Sequence, residues 1–100
     1  MRYEKAHEIA QDFMHDMNPS MWDGNGNVPS TFDERLWEYD LSPETRLDIS
    51  FWYDNEDGWY HCCELVYVAS DEMVEILTGY GIDSIPNITE TIMDICRDFE

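Results

Sequence analysis

The sequence predicts a small α+β domain in which helices pack on one face of an antiparallel sheet. Residues 3–17 carry apolar side chains at helical spacing. Residues 45–53 alternate apolar and polar side chains, and residues 59–68 are rich in aromatic and β-branched side chains, so these two segments indicate a β-hairpin. A length of 100 residues is close to that of one common domain, and we expect a single acidic domain over residues 1–100.

Residues 3–17 form the first predicted helix. Its apolar side chains fall within an arc of roughly 100° at helical spacing, which is typical of a helix that packs on a core. They are Tyr3, Ala6, Ala10, Phe13, Met14 and Met17. The dipeptide Asn18-Pro19 follows, and a residue before proline disfavours helical backbone, so we expect the helix to end there.

The next segment allows two interpretations. Residues 18–29 have the glycine, proline and asparagine content of a loop. Thr31 and Glu34 then have the spacing of a capping box, which favours a short helix over about 31–39. The segment 35–41 fits an edge strand equally well, and both alternatives stay open at this point.

The predicted hairpin is followed by a predicted helix. Residues 54–58 supply the turn between the two strands. One face of the strand before that turn carries Leu47, Ile49, Phe51 and Tyr53. After the hairpin, Ser70 is the predicted cap of a helix over about 71–78, and Gly79 is expected to end it.

A last helix is predicted over about 88–99. Asn87 is its expected N-cap, and Glu90 follows three residues later, as in a capping box. Its apolar side is formed by Ile88, Ile92, Ile95 and Phe99. The predicted helices at about 3–17, 71–78 and 88–99 would therefore pack on one face of the sheet.

The charge of the chain limits its partners. Asp and Glu number 23 and Lys and Arg only 5, so the formal net charge is −18. Such a chain is repelled by the phosphate backbone of nucleic acids and by anionic membranes. B-DNA as long as a domain of this size, about 30–35 Å, carries about 20 phosphate charges, which is close to the charge of the chain. Adaptation to high salt is the alternative explanation for this acidity.

Carboxylates repeat with a four-residue step on the first and last predicted helices. The repeats are Glu4, Glu8, Asp12 and Asp16 on the first and Glu90, Asp94 and Asp98 on the last, with shorter echoes at Asp71 and Glu75 and at Glu34 and Glu38. Successive carboxylates are then about 6 Å apart along the axis, which is of the order of phosphate spacing. Like charges at this spacing destabilise a helix by roughly 0.2–0.5 kcal/mol per pair. A merely soluble helix face is the alternative, but the repetition favours binding of a basic partner.

A third acidic group lies in the hairpin turn. It consists of Asp54, Glu56 and Asp57, beside Trp52, Trp59 and Tyr60. Arginine pairs with carboxylates and stacks on aromatic rings, so this composition also suits a basic partner. An ordinary polar turn with aromatic residues in the core is the alternative.

One loop resembles a calcium-binding motif. Residues 23–34 resemble an EF-hand loop, with oxygen-bearing side chains at its first, third, fifth, ninth and twelfth positions. These are Asp23, Asn25, Asn27, Thr31 and Glu34. The sixth position is Val28 instead of glycine, and the eighth is Ser30. We therefore interpret the segment as a flexible loop rich in glycine and asparagine, and no cofactor is expected. A weak Ca²⁺-binding protein is the third functional hypothesis, and a titration would decide it.

The cysteines and the absence of catalytic motifs narrow the class further. Cys62, Cys63 and Cys96 are an odd set with one adjacent pair, which favours reduced thiols in a cytoplasm. His61 could join them around zinc, but neighbours on a strand face opposite ways, and no metal site is expected. The sequence contains no nucleophile elbow, P-loop or dinucleotide fingerprint, so we do not expect an enzyme. Neither a signal peptide nor a membrane span is expected from its hydropathy.

These observations predict a cytoplasmic DNA mimic. Its partner would be the basic groove of a nucleic-acid-binding protein, in a nuclease or a defence complex, and not nucleic acid or a membrane. In size and charge the chain resembles small phage proteins that inhibit CRISPR and restriction systems, and acidic immunity proteins that block nuclease toxins. The alternative is an acidic adaptor or dimerisation domain, and a homodimer stays open. Buried tryptophans would favour the inhibitor, and a contiguous exposed apolar patch the adaptor.

Overall fold

The computed structural model describes residues 1–17, 36–81 and 84–99. They form two helices and four strands, in the order α1 (Tyr3–Met17), β1 (Leu36–Asp40), β2 (Thr45–Asp54), β3 (Gly58–Tyr67), β4 (Glu72–Tyr80) and α2 (Ile85–Ile95). The strands form one antiparallel sheet with the order β1-β2-β3-β4. The predicted α+β class is therefore confirmed, with both helices on one face of the sheet. The residues of the EF-hand-like loop, 23–34, lie outside the described residues, and so does the Thr31–Glu34 capping box.

The first helix and the hairpin agree with the sequence prediction. The α1 bounds are those expected, and Ala6, Ala10, Phe13 and Met17 are buried. Ile9, which the predicted apolar arc omits, is fully buried as well, whereas Tyr3 is half exposed. Strands β2 and β3 pair along their whole length, from Thr45 opposite Tyr67 to Asp54 opposite Gly58.

The segment with two interpretations forms an edge strand where the structure describes it. Leu36 to Asp40 pair with β2, so the helical alternative over 31–39 is wrong for residues 36–39. Trp37 and Tyr39 face the helices and pack against the core. The residues that alternate with them, Leu36, Glu38 and Asp40, are exposed. This alternation is what a strand buried on one face produces.

The predicted helix over 71–78 is wrong, because these residues belong to the turn after β3 and to β4. Asp71 has a positive φ of 57°, which aspartate tolerates better than most residues, and it ends the turn that reverses the chain. Strand β4 then pairs with β3 from Tyr67 opposite Glu72 to Tyr60 opposite Tyr80, with an irregularity between Leu65 and Val66. Pairing satisfies the backbone groups along an edge of β3 that would otherwise stay open, and this overrides the local helical signal.

The last helix is shifted relative to its prediction. It covers Ile85–Ile95, so it begins three residues earlier and ends four residues earlier than expected. Its N-cap is Ser84 and not Asn87, because the Ser84 Oγ accepts a hydrogen bond from the Asn87 backbone N at 3.4 Å. Pro86 fits the first turn, where a backbone N–H has no helical partner to lose.

The core lies between the two helices and the inner face of the sheet. In this core, Phe13 of α1 packs against Phe51 of β2, with ring centroids 4.7 Å apart. Trp37 packs edge-on against Phe13, with ring centroids 5.6 Å apart. Leu47 and Ile49 fill the same face of β2 and are fully buried. The inner face therefore has the apolar alternation that residues 45–53 predict.

A buried polar link attaches α2 to the sheet. His61 of β3 is fully buried, and its Nδ1 lies 2.7 Å from the Gly81 carbonyl oxygen, to which it donates. Its Nε2 lies 2.7 Å from the Thr91 hydroxyl. Burial lowers the pKa of His61, which favours a neutral ring. Its Nε2 then accepts a hydrogen bond from the Thr91 hydroxyl. Gly79 is required opposite this link, because a Cβ there would lie 2.5 Å from the His61 Nε2 and 2.7 Å from the Thr91 Oγ1.

Candidate functional site

All ten carboxylates predicted to bind a partner are exposed. They are Glu4, Glu8, Asp12, Asp16, Asp54, Glu56, Asp57, Glu90, Asp94 and Asp98. The structure places them in three groups, on α1, on and after α2, and in the turn between β2 and β3. It brings the first two groups to one layer of the molecule and leaves the third at an end of the sheet.

The α1 stripe winds along the exposed side of the helix, and at its end Asp16 lies close to the edge of the buried side. The Lys5 Nζ is 4.0 Å from the Glu8 Oε2, a weak pair between exposed groups. Asp16 accepts a hydrogen bond from the Trp37 Nε1 at 3.1 Å, so the last carboxylate also ties α1 to β1. Glu4 lies in the first helical turn, where the helix dipole favours a negative charge. Of the four carboxylates, Asp12 therefore has the fewest contacts that offset the repulsion from its neighbours in the stripe.

The α2 stripe is shorter than predicted. Because the helix ends at Ile95, Glu90 and Asp94 lie on it, but Asp98 lies in the turn that follows. The nearby cation, Arg97, points to β4, where its Nη2 and Nη1 lie 3.0 and 3.1 Å from the Glu75 carboxylate oxygens. Its contact with Asp94 is to the backbone oxygen, at 2.8 Å. Among the described residues, no ion pair neutralises a carboxylate of this stripe.

The two stripes belong to the same helical layer. The helices share one core, and the Met1 ammonium donates to the Cys96 carbonyl oxygen at 3.1 Å, so the start of α1 adjoins the end of α2. We call the exposed side of this layer, with the carboxylates of both stripes, the acidic helical face. The longest axis of the molecule is 35 Å. A duplex of that length carries about 20 phosphate charges, which is close to the net charge of −18 of the whole chain, whereas the acidic helical face itself carries seven carboxylates.

Arg46 of β2 pairs with acids that lie outside the two stripes. Arg46 donates to Asp48 from Nε at 2.6 Å and from Nη2 at 3.0 Å, and Nη2 also lies 3.0 Å from the Asp71 Oδ1. These hydrogen bonds, that to Asp48 above all, raise the pKa of Arg46. The predicted echo at Asp71 and Glu75 is wrong as a helical stripe, because Asp71 lies in the turn after β3 and Glu75 lies on β4. Arg46 and Arg97 in addition pair with these two carboxylates.

The acidic turn is shaped by its own first carboxylate. The Asp54 Oδ1 accepts hydrogen bonds from the backbone N of Glu56 at 2.7 Å and of Asp57 at 3.3 Å. Asp54 and Asp57 line a pocket of about 270 Å³. Its other lining residues are Tyr60, Thr78, Gly79 and Tyr80. Glu56 is exposed but does not line this pocket.

The three aromatic residues predicted beside the turn separate onto two faces. Trp59 packs against the core on the inner face, as an ordinary structural residue does. Trp52 and Tyr60 lie opposite one another at outward positions of β2 and β3, and Trp52 is 53% exposed. Tyr80 of β4 continues this row opposite Tyr60 and is 72% exposed. Sequence reasoning missed Tyr80, because it follows a segment read as a helix, although the alternation from Val74 to Tyr80 was available as a signal of a strand.

The outer face of the sheet, which we call the open sheet face, carries exposed apolar side chains. At its outward register positions lie Leu36, Trp52, Ile76 and Tyr80, each at least 40% exposed. None of the described helices covers this face, because both contribute to the core on the other side. At outward positions between these side chains lie Ser50, Glu64 and Thr78. Where exposed apolar side chains form a contiguous patch, that patch often marks a protein interaction site.

The cysteines do not form a reactive centre. All three thiols are free and buried, and Cys62 and Cys63 face opposite sides of β3. Burial raises the pKa of Cys63, and it raises that of Cys96 to about 11, so neither is poised as a thiolate. Within residues 1–17, 36–81 and 84–99, no group of three His, Cys, Asp or Glu side chains is placed to hold a metal ion.

Comparison of the chain with family models, with curated proteins and with solved structures gives no match. Of the described residues, no helix combines the length and the apolar character that crossing a membrane requires.

Proposed function

We propose that this chain is an acidic, nucleic-acid-mimicking inhibitor. It would occupy the basic nucleic-acid-binding groove of a nuclease or a defence complex in the cytoplasm. The observation that carries the proposal is the acidic helical face, where two stripes of exposed carboxylates lie on adjacent helices. The arginines of the described chain that form ion pairs, Arg46 and Arg97, pair with acids outside the stripes.

The proposed mechanism is competitive occupation. Carboxylates would replace phosphates against the Lys and Arg side chains of the groove, since both groups accept charge-assisted hydrogen bonds from these cations. A net charge of −18 would also speed the encounter with a basic target through long-range attraction. The same charge repels nucleic acid, so the chain itself would bind neither DNA nor RNA.

The decisive experiment is a mobility-shift assay with a basic target, a labelled duplex and increasing amounts of the chain. The target is first retained on the immobilised chain from a nuclease-containing lysate and then purified. We expect the chain to release the bound duplex or to block its loading. The matched control is a variant with Gln at Glu4, Glu8, Asp12 and Asp16, which should release less duplex. A stable ternary complex that keeps the duplex in place would contradict competitive occupation.

The proposed interface also predicts a steep dependence on salt. Exposed charges are screened over about 8 Å at physiological ionic strength, so carboxylate contacts weaken as salt is added. Affinity for the target, measured between about 50 and about 500 mM salt, should therefore fall steeply. A flat profile would indicate an apolar interface and would favour the second function below.

The second candidate function is an adaptor or dimerisation domain. It is favoured by the open sheet face, since Leu36, Trp52, Ile76 and Tyr80 are exposed there. Of the tryptophans that the structure describes, Trp52 is exposed and Trp37 and Trp59 are half-buried, so the closed core expected of a simple inhibitor is not what this part of the chain has. Sedimentation at rising protein concentration, in low and high salt, would detect a dimer, and Trp52→Ser should abolish it.

A further inference from the structure

A row of three aromatic residues crosses the open sheet face at the end that bears the acidic turn. Trp52 lies opposite Tyr60, and Tyr60 lies opposite Tyr80, so the row spans β2, β3 and β4. Neighbouring strands in a sheet are about 4.7–4.9 Å apart, so the three side chains project from adjacent positions of one face. Tyr80 is 72% exposed and Tyr60 is half-buried, which leaves ring surface accessible.

The pocket beside this row combines rings with carboxylates. Tyr60 and Tyr80 line it together with Asp54 and Asp57, and its volume is about 270 Å³. This is just below the range of about 300–1,000 Å³ that is typical of small-molecule sites, so it suits one long side chain better than a larger ligand. The turn hydrogen bonds use the Asp54 Oδ1, and Asp57 takes part in them through its backbone N. Carboxylate oxygens of both residues thus remain for a ligand.

We propose that this pocket binds the guanidinium group of an arginine side chain from a basic partner protein. The carboxylates favour a cation, and the two tyrosine rings favour a planar one, because guanidinium stacks on aromatic faces and bonds carboxylates in a fork. A lysine ammonium is a compact, strongly hydrated charge and gains less from such rings. That the arginine belongs to the target described above rests on the proposed function. The binding chemistry of the pocket does not.

Two other occupants fit the pocket less well. A nucleotide base could stack on the rings, but its phosphates would meet Asp54 and Asp57. A second copy of this chain carries a net charge of −18 and only five Lys and Arg residues, of which Arg46 and Arg97 are already paired. Charge complementarity therefore favours a basic protein.

The test uses N-acetyl-arginine amide as the probe and the whole chain, with no target present. The aromatic ring resonances of Tyr60 and Tyr80 are followed by NMR while the probe is added. We expect saturable shifts at these two residues. Binding of N-acetyl-lysine amide should be weaker, by about two- to fivefold, because an ammonium is more strongly hydrated and cannot bond a carboxylate as a fork. Tyr80→Ala should reduce the shifts of Tyr60, and Asp57→Asn should reduce the shifts of both Tyr60 and Tyr80.

Three controls separate the pocket from general charge attraction. Tyr67→Ala removes an exposed tyrosine at the other end of β3 and should leave the shifts unchanged. The Gln variant of the α1 stripe should also keep them, because the stripe does not line the pocket. A thermal melt of Tyr80→Ala confirms that the variant is folded, which its high exposure leads us to expect.

Linear shifts without saturation, equal binding of both amides, or retained binding in Tyr80→Ala would each overturn the proposal. Its failure is distinct from that of the proposed function. A chain that displaces duplex from a target but gives no saturable arginine shift would refute the pocket alone. A chain that binds the arginine probe but forms a ternary complex with target and duplex would refute competitive occupation alone.

Discussion

The acidic helical face and the open sheet face differ in how their charges are balanced. On the helices, Glu90 and Asp94 are exposed and have no ion pair within the described part of the chain. On the sheet, Asp48 is only 6% exposed, and Arg46 contacts it at 2.6 and 3.0 Å. A buried carboxylate without a partner costs several kcal/mol, whereas exposed ones are hydrated and screened by salt.

This comparison shows which carboxylates pair with the few cations of the described chain. Arg46 lies where burial makes an unpaired carboxylate costly, and Arg97 holds Glu75 at the junction of β4 with the end of the chain. Among the described residues, no arginine pairs with a carboxylate of the helical stripes. The charge that remains on the acidic helical face is thus a consequence of where Arg46 and Arg97 lie, and the variants below test each side of the comparison.

Of the variants proposed here, truncation of Phe13 in the core between the two faces should have the largest effect on the free energy of unfolding. Phe13→Ala should lower the free energy of unfolding by about 3–5 kcal/mol, because it removes ring contacts with Phe51 and Trp37. The matched control is Trp52→Ala on the open sheet face, which should cost about 1 kcal/mol or less because Trp52 is 53% exposed. Urea unfolding of both variants measures the difference. Equal losses would show that Trp52 is structural and that the open sheet face is not a free surface.

The attachment of α2 is tested by a single added methyl group. Gly79→Ala places a Cβ 2.5 Å from the His61 Nε2 and should cost about 1–3 kcal/mol, as overpacking of a filled core does. Thermal unfolding measures the loss. Gly79→Ala in a chain that also carries Thr91→Ala should be less destabilising than the sum of the two changes, because the Thr91 Oγ1 is one of the clashing atoms. Simple additivity would contradict this account of the clash.

Acid should weaken the same attachment. The pKa of His61 is lowered in the folded chain, so the unfolded chain binds the proton more readily. The stability from a neutral His61 is therefore complete above the unfolded pKa of about 6.5, and it falls by at most about 1.4 kcal/mol per pH unit as the pH drops below that value.

Urea unfolding of His61→Gln and of the wild type, between about pH 5 and about pH 8, measures this contribution. The His61 variant should lack the corresponding part of the slope. His15→Gln should keep it, because the His15 side chain is 89% exposed. A wild-type slope in His61→Gln would assign the dependence to other groups.

Neutralisation of the acidic helical face should have the smallest effect on stability, and of the opposite sign. Glu8→Gln with Asp12→Asn relieves three like-charge pairs on α1, worth about 0.6–1.5 kcal/mol together. The weak Lys5–Glu8 pair lost at the same time subtracts little from this gain. The thermal midpoint at low salt should therefore stay equal or rise, and added salt should reduce the difference. A marked loss of stability would mean that these carboxylates have structural partners.

The sequence predicted most of the fold because most of its elements have a local signature. The apolar period of residues 3–17 defines α1, and the alternation of Leu47, Ile49 and Phe51 defines β2. The sequence also predicts exposure of the ten candidate carboxylates, because seven follow four-residue steps away from an apolar side and the other three lie in a polar turn. Whether these carboxylates bind a partner stays a prediction.

The rest depended on contacts between distant segments. Ser70 and Gly79 imitate helix-capping residues, but Gly79 is a strand residue that makes room for His61 and Thr91. Likewise, Asp98 continues the spacing of Glu90 and Asp94, but α2 ends before it. In both cases a short local pattern was compatible with two backbones, and packing selected one of them.

The sequence by itself determined the α+β class, the first helix, the central hairpin and the excess of exposed carboxylates, because periodicity and charge are properties of neighbouring residues. Only the tertiary structure decided that residues 72–80 pair with β3, that Arg46 and Arg97 pair with acids outside the helical stripes, and that Tyr80 joins Asp54 and Asp57 in one pocket. The contacts of Arg46 with Asp71, of Arg97 with Glu75 and of Tyr80 with Asp54 each join residues more than twenty positions apart. Strand pairing and burial bring such residues together, and the spacing of neighbouring residues does not specify which partner each one meets.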